Sequence, residues 1–167
     1  MSTTAALPVI TEFRRQYRFL SSFYDQAPFT WTDWTGQLWQ APTREHAFQA
    51  SKTVNEKAIH WVMTAPSAGE AKTRGRQVPL VAGWDTISRS VMLRLAVGQY
   101  QLYPELCALL AATAPAILIE GNSWGDYFWG AIPDSALGQM IPRWADGTLA
   151  GHNWLGRVLM MAREVLS

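Results

Sequence analysis

"PTREHAFQASKT", residues 42–53, decides how the chain is read. Pro42 and Thr43 start a helix that runs to roughly Thr53, with Thr43 as N-cap and Glu45 in the first turn, where the helix dipole favours a carboxylate. Ala47, Ala50 and Val54 suit close packing against a core. At about 100° per residue, the seven steps from Glu45 to Lys52 return to nearly the same direction, so Glu45, Gln49 and Lys52 share one side. The ends of that face lie roughly 10 Å apart, too far for an ion pair but a suitable span for holding something between them. The plainer reading is a solvated face, with Lys52 paired to Glu56 one turn on.

Outward from this helix the chain alternates short strands with capped helices. "QYRFLSSFY", 16–24, reads as a strand running into a turn, and "TDWTGQLW" as a hairpin around Gly36. "SAGE", 67–70, has capping-box spacing and opens a helix ending near Gly75, with Lys72, Arg74 and Arg76 in its last turn. Asp85 caps a helix with a stripe of Ile87, Val91, Met92, Leu95 and Ala96, and Pro104 starts another with Leu106, Leu109 and Leu110 inward. "AILIE", 116–120, is a short buried strand, and Asn153 caps a last helix whose buried side carries Leu155, Val158, Leu159, Ala162 and Leu166. The 131–150 stretch is a long connection or irregular helix. The expectation is mainly α, an α-rich α+β fold: one compact domain over 1–167, about five helices and a few short strands, with residues 1–12 a loose extension.

Composition bounds the function. The 167 residues are 49% hydrophobic and 16% charged, as in an ordinary globule, and a net charge of +1 gives no general affinity for polyanions. Nucleic acid enters only as a modified substrate. Cys107 is the lone cysteine, read as core packing in a reducing, cytoplasmic setting, and "MSTTAALPVIT" reads as neither signal peptide nor membrane span. His46, His60 and His152 share no metal-binding spacing, so no metal and no cofactor is expected. Nine tryptophans are the unusual number; Trp31, Trp34, Trp39, Trp84, Trp124 and Trp129 sit beside Asp, Gly or Asn, where a ring can stack on a flat base or serve the core.

Six blocks in order, "YRFLSSF", "EHAFQASK", "AKTRGR", "GWD" followed by "VM", "ILIEGNSWGDYFWG" and "GHNWLGRVLMMAR", resemble those of the YbiA-like, or NADAR, family from about residue 17 to 166. Ser22 stands where the family's first block usually has asparagine. The resemblance implies a similar compact α-rich fold and N-glycosidase chemistry on a ribosylated base: a ribose-phosphate riboflavin-pathway intermediate or an ADP-ribosyl guanine adduct. Its alternative is a non-catalytic module binding ADP-ribose or a related nucleotide.

Cleaving a C–N glycosidic bond gives the sugar oxocarbenium character, so a carboxylate at the anomeric carbon stabilises charge and activates water. Glu45 matches the family's Glu-His block for that role. Asp126 is the second carboxylate, suited to ribose hydroxyls or acid–base assistance, or simply to capping its own loop. Lys52, at the matching position, acts either as a Schiff-base amine or as a fixed charge on ribose or phosphate oxygens. Trp84 and Trp129 match pocket tryptophans. Arg18, Lys72 and Arg76 are candidates for a phosphate, and Asn153 either caps its helix or places a donor in the pocket. His46 points about 100° from Glu45 and is structural, while Gly151 and Gly156 serve close packing.

Overall fold

The computed structural model describes residues 6–133 and 141–167. Its contacts fall into two compact units, Ser21–Pro104 and the chain up to Leu20 together with Glu105–Ser167. No Gly- or Pro-rich linker marks either crossing, which is why the sequence reads as one domain.

In the first unit a hairpin of β2 (Phe29–Thr32) and β3 (Leu38–Ala41) pairs Trp31 with Trp39 across its strands. The turn is set by Gly36 at φ 89° and by Asp33, whose Oδ1 accepts from the N–H groups of Thr35 and Gln37 and from the Thr35 hydroxyl, while Oδ2 accepts from Trp39 Nε1. Burial opposes the charge on Asp33, but those hydrogen bonds outweigh it and hold its carboxyl below the usual range.

Four helices follow: α1 (Arg44–Ala50), α2 (Glu56–Met63), α3 (Ala68–Gly75) and α4 (Trp84–Leu102). Thr43 and Ser67 cap α1 and α3 by accepting from the N–H groups of His46 and Glu70, as their spacing predicts. Helix α1 stops three residues short of the expected Thr53: the Lys52 and Thr53 N–H groups donate to Gln49 O and Ala50 O, three residues back, so the chain tightens into a turn. Helix α2 is absent from the sequence reading; Asn55 caps it and Ile59, Val62 and Met63 are its buried face. Asp85 is not the cap of α4, since Gly83, at φ 72°, occupies that position and the helix begins at Trp84. Every residue of α1 is buried, and the helix packs against α2, α3, α4 and β3.

The second unit begins with β1 (Val9–Ile10), parallel to β4 (Ile117–Leu118). Within the described part of the 1–12 stretch, Ile10 is buried, and the N–H groups of Ile117 and Ile119 donate to Pro8 O and Ile10 O; residues 1–5 lie outside the described residues. Arg15–Leu20 forms a 3-10 helix rather than a strand. A strand would send Phe19 and Leu20 to opposite faces, yet both are buried, which a tight helical turn allows. Helix α5 (Pro104–Ala112) buries Leu106 and Leu110 but leaves Leu109 exposed and Cys107 half-buried. The 131–150 stretch contains β5 (Ile132–Pro133), β6 (Arg143–Trp144) and β7 (Leu149–Ala150) in the order β5-β7-β6, with part of it outside the described residues. Helix α6 (Trp154–Val165) packs on β4, where Gly156 leaves room for the Leu118 carbonyl. The α-rich expectation with short strands is met. Among the described residues, no helix is long and apolar enough to cross a membrane.

Candidate functional site

A seven-residue helix buried on all sides should be apolar, yet α1 carries Arg44, Glu45, His46 and Gln49 into the interior. Each buried polar group then requires a partner. His46 illustrates the structural solution. Its Nε2 lies 3.0 Å from Ala65 O and, since a carbonyl only accepts, carries the proton; Nδ1 then accepts from Thr43 Oγ1 at 2.8 Å. Burial pushes the imidazole below its ordinary pKa, so it is neutral and locked in this tautomer. Arg44 lies with its guanidinium 5.4 Å from the centre of the Tyr100 ring and donates to Ser21 O.

Glu45 is different. Its Oε2 accepts from the Ser22 hydroxyl and its Oε1 from the Gln49 amide, both at 2.7 Å, and its backbone N–H donates to Ser22 O. Ser22 thus gives the altered first block a definite task, holding the carboxylate. Gln49 supplies the second donor from one turn along α1, while its own Oε1 is buried with no hydrogen-bond partner among the described residues. An orphan acceptor of this kind costs roughly 1–3 kcal/mol.

Lys52 lies just beyond the end of α1, where three contacts pin the chain. Trp34 Nε1 donates to Ser51 O at 2.7 Å, the Val81 N–H donates to Lys52 O at 2.7 Å, and Lys52 Nζ reaches Gly75 O at 3.4 Å. Burial is the largest cause of a lowered amine pKa; Glu45 opposes it, whereas Arg76 and Lys72 add to it by like-charge repulsion. Glu45, Lys72 and Arg76 thus each lie within electrostatic reach of Lys52, all in one unit. Lys72 is half-buried over the Phe23 ring, and Arg76 is exposed as the C-cap of α3.

Trp84 belongs to the same unit but is 8% exposed and packs on Phe48 with centroids 5.2 Å apart, so it supports the interior beneath α1. Heading a helix, it turns its ring inward onto that side chain.

The remaining candidates belong to the other unit. Arg18 is exposed on the 3-10 helix, and Trp129 is half-buried with its ring edge-on to Phe128. Asp126 Oδ1 accepts from the Trp129 N–H at 2.9 Å, the loop-capping alternative of the sequence reading. Asn122, which sequence reasoning missed, stitches the same loop by donating to Asp126 O and accepting from the Asp126 N–H. Asn153 stands at the N-cap position of α6 without capping it. Its fully buried side chain donates to Leu118 O at 2.8 Å and accepts from the Glu120 N–H at 3.0 Å, which ties it to β4 and the residues just after it.

With this geometry in view, similarity to known proteins becomes informative. Residues 11–167 match the NADAR domain family. The chain belongs to the NADAR family. It is 34% identical over 134 residues to the N-glycosidase YbiA of Escherichia coli K12, an alignment covering 79% of this chain and 73% of that protein. The NMR structure of E. coli YbiA superposes with a TM-score of 0.69 at 31% identity, covering 97% of this chain and 87% of the other. The chloroplastic riboflavin biosynthesis protein PYRR of Zea mays is 28% identical over 169 residues, 93% of this NADAR chain but 25% of the maize protein. The NADAR match spans both compact units.

Proposed function

We propose that this chain is an N-glycosidase that hydrolyses the bond between the anomeric carbon of a ribose and a base nitrogen. Its substrate class is a ribose-phosphate intermediate of the riboflavin pathway or an ADP-ribosyl guanine adduct. The homology to YbiA supports the reaction, and the maize relative's name is consistent with the first substrate. One observation carries the reading: a buried carboxylate with a donor on each oxygen, beside an amine whose pKa burial lowers.

The chemistry follows from those two groups. A lowered pKa leaves more of Lys52 as the neutral amine, and only that form is nucleophilic. Its lone pair bonds to the anomeric carbon as the bond to the base breaks; that electron pair passes to the base nitrogen, which takes up a proton. Opening of the sugar ring gives an iminium to Nζ. Water then adds to this carbon, and rupture of the C–Nζ bond releases the sugar and restores the amine. Glu45 stabilises positive charge on the sugar and orients the water, while Lys72 and Arg76 are proposed for the phosphate. For Arg18, Asp126, Trp129 and Asn153 a part in binding rests on the family resemblance alone.

Two measurements test this. Purified protein should release ribose phosphate or ADP-ribose from one of these substrates, and Glu45→Gln should remain folded while losing at least about a thousandfold in kcat. A variant with the parental rate removes Glu45 from the mechanism, and intact ligand recovered from tight complexes would mean binding without turnover. Borohydride added during turnover should leave a reduced sugar on Lys52; an unmodified lysine would leave only its electrostatic role.

A further inference from the structure

We propose that Gln49 and Gly75 form a positioning pair that holds the Glu45 carboxylate and the Lys52 amine in register. The inference rests on the reading of Glu45 and Lys52 as the reacting groups and adds two residues to which neither the family resemblance nor the comparisons give a role. Gly75 touches both sides of the arrangement. Its carbonyl accepts from Lys52 Nζ at 3.4 Å. Where its side chain would stand lies the Gln49 amide: a Cβ added at Gly75 would come 2.7 Å from Gln49 Cβ and 2.8 Å from its Cδ. Real Cβ atoms do not approach so closely, so any larger residue at 75 displaces Gln49.

Gln49 Nε2, in turn, donates to Glu45 Oε1 at 2.7 Å, on the oxygen opposite the one held by Ser22. The two donors on opposite oxygens fix the rotation of the carboxylate plane as well as its position. Gln49 is buried, and its Oε1 is unpartnered among the described residues. A methionine of similar volume would fill the same space without an orphan acceptor. Packing alone therefore gives no reason for an amide here, whereas the donor to Glu45 does. The missing side chain at the end of α3 makes room for the amide, the amide aims the carboxylate, and the backbone of that same glycine holds the amine.

The test separates aim from fold. Gln49→Met keeps volume and removes the donor. It should lower kcat about 10- to 100-fold, the range for losing one hydrogen bond to a charged group, with KM within about threefold and a Tm within a few degrees of the parent. Parental kcat in a folded Gln49→Met overturns the inference; combined with an inactive Glu45→Gln it does so without touching the proposed function, while an active Glu45→Gln removes that function instead. Should Gln49→Met not fold, a thermal-unfolding cycle decides. Gly75→Ala alone should lower Tm markedly, but the same change in a Gln49→Gly background should cost much less, because both the obstructing amide and the Cβ that carries it are gone. Additive effects of the two changes would overturn the pair.

Discussion

Glu45 takes its hydrogen bonds from side chains, Ser22 and Gln49, whereas Asp126 takes one from a backbone N–H, that of Trp129. The first carboxylate sits on a helix whose first turn is capped by Thr43 and not by Glu45; the second helps to define the loop that carries it, together with Asn122. A side-chain donor can be altered while the backbone stays in place, but a backbone donor ties the carboxylate to the local fold. The contrast is one of anchoring: side chains hold the Glu45 carboxylate, and the backbone of its own loop holds one oxygen of Asp126.

The strongest way to break that contrast is to compare truncations of the two acids. Glu45→Ala should lose at least about a thousandfold in kcat while thermal unfolding stays cooperative, since the Thr43 cap and the backbone bonds of α1 remain. Asp126→Ala should instead lose about 1 kcal/mol of stability with the loop cap. Asp126→Asn then sharpens the comparison, because an amide oxygen still accepts from the Trp129 N–H and only the charge is removed. Its Tm should lie nearer the parent's than that of Asp126→Ala, and kcat/KM with a ribosylated substrate should fall by less than in Glu45→Ala. Equal losses in the two activity assays would erase the distinction drawn between helix and loop.

Asn153 extends the comparison to a residue that consumes its polar groups entirely. Its amide holds Leu118 O and the Glu120 N–H, so Asn153→Leu would deprive one backbone group of β4 and one just beyond it of these partners. Its left-handed backbone, φ 51°, adds strain for a branched residue. Asn153→Gly relieves that strain and isolates the lost hydrogen bonds, and it should destabilise the protein by about 2–4 kcal/mol in urea unfolding. A Gly variant as stable as the parent with a raised KM would return Asn153 to substrate binding.

How far the sequence could be read follows the same division. Helix α1, the Gly36 hairpin, the α3 capping box and the Pro104 start were legible because each rests on contacts within a few residues. The face joining Glu45 to Gln49 was legible for the same reason, helical winding alone. What escaped depends on distant partners. The 3-10 helix at 15–20 mimics a strand in composition, and β1 exists through its pairing with β4, more than a hundred residues away. No local pattern announces that Asn153 would ignore its own helix, that Trp84 would turn inward onto Phe48, or that Gly75 is small because of Gln49. Ser22 was visible as a departure from the family block, but its bond to Glu45 spans 23 residues and appears only in three dimensions.

The smallest expected effect concerns Lys52 and sharpens the account of α1. Burial, reinforced by Arg76 and Lys72 and opposed by Glu45, keeps its amine below the ordinary lysine value of 10.5. Between the lowered folded pKa and that value, the unfolded chain binds more protons than the folded one. Stability contributed through this group therefore rises with pH across the interval and is lost as pH falls through the folded value. Lys52→Met abolishes the titration. The unfolding free energy of the parent minus that of the variant should accordingly increase as pH climbs toward 10.5, by a modest amount because the amine is only half-buried. Urea unfolding of both proteins over a pH series reads this directly. A difference that stays flat, or one that shrinks with pH, would mean that the amine is not held in the less charged state that the proposed nucleophilic role requires, and Lys52 would be left with the proposed electrostatic role alone.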